Sequence, residues 1–311
     1  NIPGVLSEDK EVMAKLCAAK KHKLPIDGHA PTLIGEPLKQ YIAKGISTDH
    51  ESVTMEEAME KINLGMKIHI REGSAARNYE ALKSLIRTNP NDIMFCTDDS
   101  HPDEIIAHGH IDKIVKKAIA DGFDLFNVLK IASLNPIEQY ALPVGQLRIG
   151  DRADFIKVDS LESFCTEQVY IRGVKQYDKE IHTSSAYPSS KPIYINNFKH
   201  DKIQASELRK SISNTVKGIS LMDGELITSI MEYTPDSPKE NFESDINNDI
   251  LKIVYINRYN NGTPQIAFCK GFNLKQGAFA SSIAHDSHNI LAVGCTDENL
   301  AEAINAVIRK K

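Results

Sequence analysis

Residues 93–101 read IMFCTDDSH, an apolar run that ends in two aspartates, a serine and a histidine. Similar apolar runs occur earlier, at residues 24–26, 45–48 and 67–70. Stretches with helical spacing of their apolar residues separate the four runs. Strands that alternate with helices in this way indicate parallel βα units.

Each apolar run leads directly into ionisable residues. These are residues 27–29 (DGH), 49–51 (DHE), 71–73 (REG) and 98–101 (DDSH). Catalytic groups of (β/α)8 barrels lie at the C-terminal ends of the strands. A barrel needs eight strands and about 250 residues, so four such units predict one half of a barrel.

The pattern changes after the fourth unit, and we predict an α/β fold with additional domains. Residues 1–146 are predicted as the second half of a (β/α)8 barrel and 147–181 as strands of a small β-domain. Residues 182–195, rich in serine and proline, are predicted as a linker, and 196–311 as an α+β domain. Predicted strands of that domain are 251–257, 265–270, 277–283 and 289–294, with a closing helix at 297–309.

Charge and composition exclude several classes of protein. The 311 residues carry 37 Lys plus Arg against 42 Asp plus Glu, a net charge of −5, which argues against a nucleic-acid partner. No apolar run approaches the roughly 20 residues that a membrane helix needs, so we expect no membrane partner. The five cysteines form no CxxC pair, which favours reduced thiols in a cytoplasmic protein.

His29, His50 and Asp98 are the first candidates for chemistry. Each follows a predicted strand, so all three side chains are expected at one end of the sheet. Imidazole and carboxylate together suit zinc, manganese or iron. Any one of them alone is explained as a polar residue near a strand end, but three in register favour a metal site.

Two carboxylates stand beside these predicted ligands. Neighbours on an extended strand point to opposite faces, so Glu51 and Asp99 would not ordinarily share a cavity with His50 and Asp98. The rule relaxes at the last residue of a strand. Glu51 is therefore a candidate acid or base, with a surface carboxylate as the alternative.

Residues 71–74 (REGS) have two interpretations. Arg71, Glu72 and Ser74 are candidates for binding an anion or orienting a substrate. The alternative is an ion pair followed by a helix cap, because serine is a favoured N-cap residue. Residues 108–110 (HGH) begin a predicted helix and are interpreted as structural rather than as metal ligands.

Residues 284–289 (AHDSHN) form the densest polar cluster of the second domain and join two predicted strands. His285, Asp286 and His288 are candidates for reaching a substrate, as part of a lid, or for holding a metal of their own. A plain surface loop is the alternative.

Taken together, these segments resemble the adenine deaminases of the amidohydrolase superfamily. The resemblance covers nearly the whole chain. It rests on residues 27–31 (DGHAP), 48–51 (TDHE), 71–76 (REGSAA), 95–102 (FCTDDSHP) and 284–289 (AHDSHN).

The resemblance implies a binuclear divalent metal site inside a barrel, with manganese or iron as the expected metal and zinc as an alternative. His29, His50 and Asp98 match the ligands on the fifth, sixth and eighth strands of that family. The HxH of its first strand and the bridging carboxylate of its fourth are absent, and Ser100 stands where the family usually has arginine. We therefore expect the chain to be a fragment that has little or no activity by itself.

The resemblance also implies the reaction and the partners. Adenine would be hydrolysed at C6 to hypoxanthine and ammonia, as in purine salvage. Glu51 would donate a proton to N1, and Asp98 would pass a proton from water to the departing ammonia. A homo-oligomer is expected.

Two other functions stay open at this point. One is a related amidohydrolase that acts on cyclic amides. The other is a catalytically incomplete assembly module that folds only with its missing half.

Overall fold

The computed structural model describes residues 2–180, 198–223, 228–284 and 287–310. The chain divides into two units, residues 1–187 and residues 188–311. The predicted linker at 182–195 lies outside the described residues. None of the helices that the structure describes is long and apolar enough to span a membrane.

A parallel four-stranded sheet forms the centre of the first unit. Its strands follow in chain order and are β1 (Asp27–Gly28), β2 (Thr48–Asp49), β3 (Lys67–Arg71) and β4 (Ile93–Cys96). Each strand is separated from the next by at least one helix, so the prediction of consecutive parallel βα units is confirmed. β1 and β2 are each only two residues long, and the ladder between them is correspondingly short.

The helices of the first unit include four that the sequence pattern did not predict, α1, α2, α7 and α10. The helices are α1 (Ile2–Leu6), α2 (Lys10–Lys21), α3 (Gly35–Ala43), α4 (Met55–Asn63), α5 (Tyr79–Leu82), α6 (Leu85–Thr88), α7 (Pro102–His108), α8 (Ile111–Ala120), α9 (Leu125–Leu129) and α10 (Asn135–Tyr140), with a π-helical turn at Lys130–Leu134.

Alternation along β3 decides which side chains enter the core. Ile68 and Ile70 are fully buried and pack in one cluster with the apolar faces of the flanking helices. His69 and Arg71 occupy the alternate positions and belong to no apolar cluster. Because successive side chains of a strand point to opposite faces, β3 presents its polar residues on the face away from this core.

A small antiparallel sheet follows, formed by β5 (Phe155–Val158), β6 (Thr166–Ile171) and β7 (Val174–Asp178). β5 lies after the turn at residues 150–151, but no strand that the structure describes lies between residue 147 and that turn. Asp151 accepts hydrogen bonds from the backbone N–H groups of Gln146 and Arg148, so this segment closes on itself instead of pairing with a neighbour.

The second unit contains a six-stranded sheet in the order β12-β13-β10-β11-β8-β9, parallel only between β11 and β8. Its elements are β8 (Val216–Ser220), β9 (Ser229–Tyr233), β10 (Leu251–Ile256), β11 (Gln265–Lys270), β12 (Ala278–Ala284), β13 (Asn289–Gly294), α11 (Asp297–Arg309) and a 3-10 turn at Ala205–Leu208.

Helix α11 packs its apolar face on this sheet. Leu300 and Ile304 are fully buried against Val254, Ile256 and Ile290. Burial of one such side chain contributes roughly 1.5–3 kcal/mol. The apolar spacing predicted α11, β11 and β13 with the bounds that the structure shows, whereas β8 and β9 were not predicted, because most of their side chains stay half-buried or exposed.

Candidate metal site

Two histidines meet where β1 and β2 end. His29 directly follows β1 and His50 directly follows β2, and their ring centroids are 4.5 Å apart. Glu51 joins them, with its Oε1 atom 3.5 Å from His29 Nδ1. One ligand atom from each of these three residues lies within 4.8 Å of the others, the spacing of a group that can share one metal ion.

Asp98 lies beside this group and is paired with Arg71. Asp98 Oδ2 is 3.8 Å from His50 Nε2 and 2.6 Å from Arg71 Nη1. The N–H bonds of Nη1 are not directed at that oxygen, so the contact is an ion pair rather than a hydrogen bond. Arg71 Nη1 is also 3.6 Å from Glu51 Oε1, which places one guanidinium between two carboxylates.

The burial of His50 fits a metal ligand. Its side chain is only 11% exposed, and its buried Nε2 atom makes no hydrogen bond to any residue that the structure describes. Burial, and then the neighbouring His29, lower the pKa of His50. The ring is therefore neutral at pH 7, the form that offers a lone pair to a metal.

The turn that carries Asp98 is held from two sides. Asp98 has φ of 50°, a conformation that is uncommon for residues other than glycine. The preceding Thr97 shares a hydrogen bond of 2.7 Å between its Oγ1 and His110 Nε2. On the other side, a Cβ atom on Gly73 would collide with the Thr97 carbonyl oxygen, so glycine permits the close approach of these two loops.

The other candidates from the REGS segment do not join the group. Glu72 directly follows β3 and pairs with Lys117 of α8 at 3.3 Å, so a substrate contact by Glu72 stays a prediction. Ser74 donates a hydrogen bond to Glu104 and accepts one from the His101 N–H. It caps no described helix, because α5 begins five residues later with Asn78 as its N-cap residue.

The remaining candidates are Asp99 and the loop that contains His285, Asp286 and His288. Asp99 is exposed, and its carbonyl oxygen accepts a hydrogen bond of 3.0 Å from Ser74 N–H. In the second unit, His285 and Asp286 lie outside the described residues. His288 follows them with φ of 55° and donates its backbone N–H to the Ala284 carbonyl oxygen at 2.6 Å.

Sequence reasoning missed a polar cluster next to His50, formed by His69, Tyr140 and Asp27. His69, two residues before Arg71 on the same face of β3, has its ring 6.4 Å from His50. Tyr140 donates a hydrogen bond of 2.9 Å to Asp27 and lies 3.3 Å from His69 Nε2. The position of His69 relative to Arg71 was a signal for this cluster, but no sequence pattern connects Tyr140 to it.

Comparison with known proteins connects both units to one group of enzymes. Residues 2–175 match the model of the Amidohydrolase family, and residues 225–311 match that of the Adenine deaminase C-terminal domain. The adenine deaminase of Parabacteroides distasonis is 48% identical over 312 residues, which cover 100% of this chain and 56% of that protein. The adenine deaminase of Methanosarcina acetivorans is 48% identical over 322 residues, covering 100% of this chain and 58% of that protein.

The chain thus spans somewhat more than half the length of the curated relatives that it matches. The resemblance inferred from the motifs is confirmed by matches in both units. Because the Amidohydrolase model alone covers more than half of its residues, this chain belongs to the amidohydrolase family.

Proposed function

We propose that the whole protein that carries this chain hydrolyses adenine to hypoxanthine and ammonia. The observation that carries the proposal is the convergence of His29, His50 and Glu51 in a family of metal-dependent hydrolases. The substrate is inferred from relatives that match all of the chain and are named adenine deaminases. The cytoplasmic location and the role in purine salvage belong to the same proposal.

His29 and His50 would hold a divalent ion, with Asp98 as the third ligand that the family motif implies. The buried Nε2 of His50, without a hydrogen-bond partner among the described residues, fits this role. When bound, such an ion lowers the pKa of water from about 15.7 to about 7. A binuclear site of manganese or iron, with zinc as the alternative, inside a closed barrel is the form that we propose for the whole protein.

Glu51 and Asp98 would move the protons of the reaction. As water adds to C6, Asp98 accepts a proton from the water and Glu51 donates one to N1. Asp98 then protonates the departing ammonia, while Glu51 recovers a proton from the C6 hydroxyl as the carbonyl of hypoxanthine forms. General acid–base catalysis of this kind contributes about 10²–10⁴-fold.

The arrangement of charged groups supports separate roles for Glu51 and Asp98. Glu51 lies against His29, and Asp98 lies near His50, so the two carboxylates flank the pair of imidazoles. Arg71 contacts both carboxyl groups and would hold the negative charge of Asp98, the proton acceptor, in place before the substrate binds. Its contact with Asp98 competes with a metal for the same oxygen, so we propose that metal binding displaces the guanidinium.

The test is a substrate panel on the purified whole protein loaded with manganese. We expect release of ammonia and formation of hypoxanthine from adenine, with no turnover of dihydroorotate or hydantoins. Turnover of a cyclic amide without turnover of adenine would overturn the substrate. A protein that binds no divalent ion would support the assembly-module alternative instead.

The lid role of residues 284–289 and the homo-oligomer stay predictions. If the loop encloses adenine, His288→Ala lowers kcat/KM in the whole protein and leaves the metal content unchanged. If the loop holds a metal of its own, the same variant binds one ion fewer. Unchanged kinetics and metal content would leave a plain surface loop.

A further inference from the structure

Lys61 of α4 is a fully buried lysine next to the proposed site. Its Nζ atom contacts four oxygen atoms. These are the Ala30 carbonyl oxygen at 2.5 Å, Glu57 Oε1 at 2.6 Å, Asp49 Oδ2 at 2.8 Å and Ser52 Oγ at 3.1 Å. Burying an ammonium group costs several kcal/mol unless it is paired and fully hydrogen-bonded. Two of these oxygens, of Ala30 and Ser52, belong to the loops that follow β1 and β2. The other two belong to the carboxylates of Asp49 and Glu57.

The two carboxylates bonded to Lys61 extend the network into both loops. Asp49 accepts a hydrogen bond of 2.9 Å from the Ala30 N–H. Glu57 accepts one of 2.8 Å from the Thr32 N–H and one of 3.1 Å from the Val53 N–H. The loop after β1 is thereby joined to the loop after β2 through three buried charged side chains.

We propose that Lys61 is a positioning residue that sets the spacing of the two histidines of the metal site. The inference rests on the function proposed above. Ala30 follows His29 directly, and the residues that flank the His50–Glu51 pair, Asp49 and Ser52, both bond to Lys61. A change in this network therefore moves the backbone of both ligand-bearing loops.

The short strands explain why such a network is needed. β1 and β2 pair at only two positions, Asp27 with Thr48 and Gly28 with Asp49. A ladder of this length holds the strand ends weakly, whereas a metal site requires its ligands within about 0.5 Å of the productive geometry. Groups that support metal ligands from behind typically contribute 10–100-fold to metal affinity.

The second unit contains a matched control. Lys252 of β10 is also fully buried, pairs with Asp297 and donates a hydrogen bond of 2.7 Å to the Leu208 carbonyl oxygen. Its partners flank none of the residues proposed for the metal site. Loss of the ammonium group at either position leaves buried oxygens unpaired, but only at Lys61 does it release loops that carry His29 and His50.

The experiment compares Lys61→Met and Lys252→Met in the whole protein. Manganese affinity is measured by competition with a chelator, the visible spectrum is recorded with cobalt, and the unfolding midpoint is determined without metal. We expect both variants to unfold earlier. Lys61→Met alone should bind manganese roughly 10–100-fold more weakly and show an altered cobalt spectrum.

A folded Lys61→Met protein with manganese affinity within twofold of wild type would overturn the positioning role. If that variant does not fold, Ser52→Ala takes its place and removes only the two contacts of the Ser52 hydroxyl, those with Lys61 and Asp49. We then expect a severalfold loss of manganese affinity, and unchanged affinity overturns the inference. A wild-type protein that binds no divalent ion contradicts the proposed function and with it the inference, whereas the other outcomes concern Lys61 alone.

Discussion

Arg71 Nη1 lies 2.6 Å from Asp98 Oδ2, joining the last residue of β3 to the loop that follows β4. The same guanidinium nitrogen is 3.6 Å from Glu51 Oε1. Two carboxylates that are close to one guanidinium would repel one another without it. A divalent ion held by the neighbouring histidines would supply the same compensating charge, so Arg71 and the metal are coupled through these carboxylates.

This coupling predicts that Arg71→Met destabilises the metal-free protein more than the manganese-loaded protein. In the presence of a chelator, we expect the variant to lose roughly 1–3 kcal/mol of unfolding free energy. The loss is not larger because Asp98 is 33% exposed and water screens part of its charge. The loss should shrink when manganese is bound. Urea unfolding of the whole protein in both conditions measures it, and an equal loss with and without metal would contradict the coupling.

For Glu51, we predict that Glu51→Gln lowers adenine turnover by at least about 10²-fold while manganese stays bound. The amide keeps the size of the side chain but cannot cycle a proton. Turnover and metal content of the whole protein are measured together, with Glu36→Gln, an exposed carboxylate of α3, as the control. Near-normal turnover would show that the proton donor is another group, and loss of metal would make Glu51 a ligand, which its distances to both histidines permit.

His69 should make stability depend on pH. Burial lowers its pKa from the ordinary value of 6.5 to about 4. Between these values the unfolded chain binds a proton that the folded chain does not, so folding is favoured less as the pH falls. The contribution of His69 to the free energy of unfolding is complete above pH 6.5. As the pH falls to about 4, the protein loses about 3 kcal/mol of this stability.

The matching variant is His69→Gln, which has no imidazole to protonate. Unfolding free energies of both proteins are measured at pH 7 and pH 5. The wild type should lose more stability between these values than the variant does. Identical losses would show that His69 is not buried as a neutral ring.

The cysteines are predicted to differ sharply in reactivity. Burial raises the pKa of the thiols of Cys96 and Cys269 to about 12, whereas Cys17 on α2 is exposed. At pH 8 a thiol with such a pKa is only ~10⁻⁴ thiolate, the form that reacts. Iodoacetamide labelling of the native chain, followed by mass spectrometry, should modify Cys17 first. Labelling of Cys269 at the rate of Cys17 would contradict its burial, and denatured chain serves as the control.

Sequence reasoning reached His29, His50, Glu51 and Asp98 because each follows an apolar strand, and strand ends of a parallel sheet share one edge. The structure places all four near one another. The same reasoning selected Glu72, whose carboxylate pairs with Lys117 of α8. It passed over Lys61, because a lysine four residues after a glutamate on an amphipathic helix predicts an exposed ion pair.

Local patterns of the sequence by themselves determined the βα order of the first unit, the strands of the second unit that contribute most to its core, helix α11 and the motifs that identify the family. These features depend on the spacing of apolar residues and on neighbours along the chain. Only the tertiary structure decided that Arg71 lies between Glu51 and Asp98, that Tyr140 contacts Asp27 and that Lys61 joins two loops. Such contacts form between residues far apart in the sequence, and their geometry depends on how the strands pair and twist, which no local pattern specifies.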